Sequence, residues 1–91
     1  MSTVARHVRV TGRVQGVFFR AWIREQADRL GVRGWVRNCS DGSVEAHIEG
    51  AEDRVADMLE LLKRGPSGAH VDDLQVRDVD PEYHDWFAVR H

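Results

Sequence analysis

The spacing of apolar residues switches from a period of two to a helical period and back, and no other feature limits the fold so tightly. His7-Val8-Arg9-Val10-Thr11 alternates polar and apolar, the mark of a half-buried strand. From Phe19 the period lengthens. Phe19, Trp22, Ile23, Ala27 and Leu30 share one helical face, while Arg24, Glu25, Asp28 and Arg29 share the other. Gly31 then stands where helices commonly end in a left-handed cap. Strand character returns from Val32 to Asn38 and again from Ser43 to Glu49. In the latter, Val44, Ala46 and Ile48 face one way, and Ser43, Glu45, His47 and Glu49 are expected to face solvent. Between the two, Cys39-Ser40-Asp41-Gly42 holds Asp-Gly, a strong hairpin-turn signal.

A second helix is predicted from Glu52 and Asp53, which place acid at its positive end, to Lys63 and Arg64 at its negative end. Val55, Met58, Leu59 and Leu62 form its apolar stripe, and Gly65-Pro66 stops it. Val71 to Asp80 reads as a strand ended by Pro81, and Trp86 to Arg90 as a short last one with Phe87 and Val89 inward. The order β-α-β-β-α-β plus a terminal strand predicts an α+β, ferredoxin-like βαββαβ sandwich. In it an antiparallel sheet carries two helices on one face, with a short C-terminal fifth strand.

At 91 residues the chain is expected to form one domain spanning 1–91, since two separate cores would each be too small. No run approaches the ~20 apolar residues of a membrane-spanning helix, and the first residues carry no stretch of signal-peptide length. A cytoplasmic protein is expected. A single cysteine, Cys39, leaves no internal disulfide to form, so packing alone must hold the fold. Charge is unevenly divided. Residues 1–45 hold eight arginines against four acids, a surplus of four, whereas the remainder holds five basic residues against eleven acidic, a deficit of six. An anion site is therefore to be sought in the first half.

The segment from Gly12 to Arg20 joins the first strand to the first helix. The first turn of a helix leaves backbone N–H groups without partners, and Gly12 and Gly16 let the chain curl so that such groups converge. A phosphate-sized anion suits that cradle, and Arg20 in the first turn carries a guanidinium able to fork onto two of its oxygens. The segment is neither a Walker loop nor Gly-x-Gly-x-x-Gly. On the glycines alone, a tight turn followed by a solvated arginine is the simpler account.

Longer motifs carry more. Val10-x-Gly12-x-Val14-Gln15-Gly16-Val17-x-Phe19-Arg20 resembles the signature loop of the acylphosphatase family. Gly34-Trp35-Val36-Arg37-Asn38, followed by Asp41-Gly42-Ser43-Val44 and Gly50, is similar to that family's second signature, in the same order and spacing. Gly65-Pro66, Val71 and Phe87-x-x-Arg90 extend the likeness over nearly the whole chain, while Cys39 and His91 depart from the residues usual at their positions. The resemblance implies a βαββαβ sandwich that hydrolyses the carboxyl–phosphate bond of acyl phosphates, giving a carboxylate and inorganic phosphate. It implies no metal and no cofactor. It assigns phosphate binding to Arg20 and to the backbone amides of Gln15, Gly16, Val17, Phe18 and Phe19, and orientation of the attacking water to Asn38, with no covalent intermediate.

Those residue types suit the reaction. The leaving carboxylate is stable without protonation, so holding the phosphoryl group and placing a water are what remain to be done. Asn38 without the likeness reads as a turn former beside Asp-Gly. His7, His47, His70, His84 and His91 show no metal-ligand spacing, and no zinc site is expected. The alternative is a non-catalytic ferredoxin-like module that binds an anion or regulates. RNA binding, which shares this topology, needs exposed aromatics on the central strands, and His7, Arg9, Thr11, Ser43, Glu45, His47 and Glu49 make a poor stacking platform. A monomer acting on a small acyl phosphate, with neither nucleic acid nor membrane as partner, is expected.

Overall fold

The computed structural model describes residues 2–91. Seven elements follow one another: β1 (Val4–Arg13), α1 (Phe19–Leu30), β2 (Arg33–Asn38), β3 (Val44–Gly50), α2 (Glu52–Arg64), β4 (His70–Val79) and β5 (Phe87–Arg90). They form one five-stranded sheet in the order β4-β1-β3-β2-β5. The helices pack on the face carrying Val8, Val10, Val44, Ala46 and Ile48. Phe19, Ile23 and Ala27 of α1 are buried there, with Trp22 and Leu30 half-buried. Val55, Met58 and Leu62 of α2 complete the layer. Both helices occupy the spans that periodicity predicts.

Strand pairing is antiparallel for β1–β3, β1–β4 and β2–β3. These four strands make the expected antiparallel sheet, and the short fifth strand, whose direction the sequence leaves open, runs parallel to β2, with Gly34 opposite Phe87. Direction explains it. Val79 at the end of β4 pairs with Ala5, at the same end of the sheet where Glu49 pairs with Arg33 at the start of β2. A chain that crosses the sheet at this end and turns back enters β5 alongside the start of β2 and runs in the same sense as β2. Phe87, 1% exposed, anchors the short strand in the core.

The expectation that the second face of β3 lies in solvent is overturned, at His47 and Glu49 by the crossing segment, residues 80–86. Ser43, Glu45, His47 and Glu49 are all buried. The backbone N–H groups of Glu82 and His84 each donate to the Glu49 carboxylate at 2.8 Å, so the segment is strapped over the strand. Burial works to raise the Glu49 pKa, but the Glu82 N–H, the His47 imidazole and the His84 N–H outweigh it and hold the carboxyl below its ordinary range. Glu45 is met from both sides, by Arg37 and by His7 at 3.0 Å. A buried carboxylate is stable only with such partners.

Two glycines are dictated by close approach. A Cβ on Gly34 would sit 1.8 Å from the His47 carbonyl oxygen across the β2–β3 ladder. One on Gly12, where the β1–β4 register shifts, would sit 2.1 Å from the His70 carbonyl oxygen.

Candidate active site

The loop between β1 and α1 is pinned at Val14, 1% exposed in the core, and then turns outward. Gly16 and Phe18 both adopt left-handed backbone, with φ of 74° and 60°. For Phe18 this is a strained conformation for a bulky residue, and its ring is 85% exposed. Trp22 N–H is bonded to Phe18 O at 3.0 Å. The amides before it, from Phe19 to Ala21, therefore have no acceptor within the helix, and they carry the positive end of its dipole.

Arg20 leaves the first turn of α1 half-buried. Its Nη1 donates to the Arg90 carbonyl at 2.9 Å and lies 3.2 Å from His91 Nδ1. The guanidinium is thus tethered to the end of β5, leaving its remaining N–H groups to other acceptors. Arg20, Gly16, Phe18, Phe19 and Asn38 line one cleft of about 510 Å³, together with Val89 and His91. Gln15 and Val17 do not line it.

Asn38 closes β2 opposite Val44. Its Oδ1 is buried and meets no hydrogen-bond partner among the described residues, an uncommon state for a buried acceptor. Behind it the turn is tightly made. Cys39 N–H donates to Ser43 O at 2.8 Å, and the Ser43 hydroxyl and N–H both donate to Asp41 Oδ1, at 2.6 and 2.9 Å. These two bonds, joined by the Arg9 guanidinium, depress the Asp41 pKa. Gln15 is what binds this turn to the loop. Its Nε2 donates to Cys39 O and to Ser43 O, each at 2.8 Å.

The sequence expectation thus shares Gly16, Phe18, Phe19, Arg20 and Asn38 with the cleft, includes Gln15 and Val17, which do not line it, and misses its supports: the Gln15 brace, the Asp41–Ser43 clamp and the Arg90–His91 tether. The Asp-Gly pair signals the second. Cys39 is half-buried with a free thiol and enters the site only through its backbone.

A family model described as Acylphosphatase matches residues 6–89. The chain belongs to the acylphosphatase family. An acylphosphatase of Haloarcula marismortui is 49% identical over 90 residues, covering 99% of each chain. One from Rhizobium etli is 56% identical over 71 residues, covering 78% of this chain and 76% of the relative. Among solved structures, an acylphosphatase from Coxiella burnetii superposes with a TM-score of 0.93 at 39% identity, covering 97% of this chain and 93% of that one. The acylphosphatase likeness and the hydrophobic periods agree on the same ferredoxin-like α+β sandwich. The residues to which the acylphosphatase signatures point, Arg20 and Asn38, come from different elements, α1 and the end of β2, and line the same cleft.

Proposed function

We propose that this cleft hydrolyses acyl phosphates with the chain's own groups as the whole catalytic apparatus. The phosphoryl group sits against the amides at the start of α1, and the Arg20 guanidinium takes two of its oxygens. Water attacks phosphorus as the bond to the carboxyl oxygen breaks. The carboxylate leaves with the bonding electrons, and the water's proton passes to a phosphate oxygen. A stable leaving carboxylate makes a general acid unnecessary. The Asn38 side-chain amide orients the water and holds it in line. The observation that carries this reading is that Asn38, whose side-chain oxygen has no partner among the described residues, lines the same cleft as Arg20 and the helix N-terminus.

Purified protein is expected to hydrolyse benzoyl phosphate equally well with and without a chelator. Arg20→Ala should raise KM for substrate and weaken inhibition by phosphate, by roughly ten- to a hundredfold if a charge-assisted pair of ~1.5–3 kcal/mol is lost. Asn38→Ala should lower kcat with phosphate affinity retained. Binding of phosphate without turnover by folded wild type would instead favour a non-catalytic anion-binding module. The same reading takes residues 1–91 as one domain, working as a monomer in the cytoplasm on a small molecule. Gel filtration with light scattering tests the monomer.

A further inference from the structure

We propose that His47, Glu49, Glu82 and His84 form a binding site for one divalent transition-metal ion, zinc by its donor set, on the face of the sheet opposite the helices. The site is separate from the cleft, since β3 meets Asn38 near its start, at Val44, and bears Glu49 near its end. His47 and Glu49 stand two apart on β3 and so project from one face. The crossing segment brings the other two residues over them.

His47 Nε2 lies 2.6 Å from Glu49 Oε1 and 3.9 Å from Glu82 Oε1, and His84 Nε2 lies 2.6 Å from the same Glu82 oxygen. The ligand atoms of His47, Glu49 and His84 all fall within 4.8 Å of one another. Tetrahedral zinc, with bonds of about 2.0–2.1 Å, spaces its ligands roughly 3.3 Å apart. To admit it the two short pairs open by about 0.7 Å, the His47–Glu82 pair closes by about 0.6 Å, and a separation as wide as 4.8 Å closes by about 1.5 Å.

Charge and surroundings fit as well. Two neutral imidazoles and two carboxylates sum to the charge that a divalent cation cancels. Imidazole with carboxylate suits zinc better than magnesium or calcium, which prefer oxygen alone. The groups are also oriented from behind, as metal ligands usually are. Glu49 is fixed by the Glu82 and His84 N–H groups, the Trp35 indole N–H donates to Glu82 Oε1 at 3.2 Å, and the Trp35 ring stacks on His47 at 17°. The side chains of His47 and Glu49 are 3% and 0% exposed. Histidine spacing along the chain hides the set, because His84 arrives 35 positions after Glu49.

The test is titration of chelator-stripped protein with zinc against a chromophoric competitor, with thermal melts in parallel. One equivalent is expected to bind, and the melting temperature to rise on zinc addition. Glu82→Gln and His84→Gln, both on the outer segment and checked for folding by their metal-free melts, should each weaken binding at least tenfold and abolish the zinc-dependent rise. Absence of stoichiometric binding by wild type overturns the proposal. So does binding that survives both substitutions, which would place the metal on a surface histidine such as His70.

Discussion

Gln15→Ala should loosen the cleft without touching any group assigned to the phosphate through its side chain. The amide spans two elements, with Nε2 donating to Cys39 O and Ser43 O at 2.8 Å each. Those carbonyls keep other donors, since Cys39 O also accepts from Gly42 N–H at 3.2 Å and Ser43 O from Cys39 N–H at 2.8 Å. The loss is therefore that of two bonds rather than of two stranded acceptors, at about 0.5–1.5 kcal/mol each. A total near 2 kcal/mol lowers the melting temperature of a domain this size by roughly 8–16 °C. Gln15→Glu keeps the shape but turns acceptor against acceptor, and should be at least as damaging. Because the brace positions the turn that follows Asn38, kcat for benzoyl phosphate should fall roughly ten- to a hundredfold, the scale on which small misplacements act. Calorimetry and steady-state kinetics read both effects. A Gln15→Ala protein melting within about 2 °C of wild type, or a Gln15→Glu protein more stable than Gln15→Ala, would refute the assignment of the brace.

Gly34→Ala should be among the most destabilising single changes, since its Cβ would meet the His47 carbonyl at 1.8 Å and φ is +138°. A loss of about 3 kcal/mol or more is expected in denaturant titration. Phe87→Ala, which empties a site 1% exposed, should cost about 3–5 kcal/mol. It should also weaken phosphate inhibition, because β5 carries the Arg90 carbonyl that holds Arg20. Asp41 supplies a pH dependence. Its carboxyl is depressed first by the Ser43 hydroxyl, then by the Ser43 N–H and Arg9. The group therefore stabilises the fold above the ordinary aspartate pKa of about 3.9, and that stabilisation is lost as pH falls through its lower folded value. The stability difference between wild type and Asp41→Asn should be present at neutral pH and vanish in strong acid.

The helices were legible because their signals are local. The stripe from Phe19 to Leu30 and the acid-to-base polarity from Glu52 to Arg64 are complete within each segment. Arg20 and Asn38 were legible for a similar reason, each lying inside a motif with its own glycines. What escaped was settled between segments. Asp80-Pro81-Glu82-Tyr83-His84-Asp85-Trp86 has no apolar period, and nothing local tells that its backbone will cap Glu49. The sense of β5 depends on the end of the sheet where β4 finishes. Gln15 braces two carbonyls, and a bond to backbone leaves no complementary residue type to notice.

The strand order leaves β4 and β5 with one side each unpaired among the described residues. Open backbone of that kind can recruit a strand from another copy of the same chain, and the hazard grows with length. β5 limits it by brevity, at four residues. β4 is ten residues long and cannot. It bears Asp72, Asp73 and Asp78, and its pairing with β1 is interrupted by the irregularity at Gly12. Two copies brought together along β4 would gather a surplus of negative charge at the new ladder, three aspartates on each strand against Arg77. These carboxylates belong to neither the core nor the cleft; what they oppose is aggregation by strand addition.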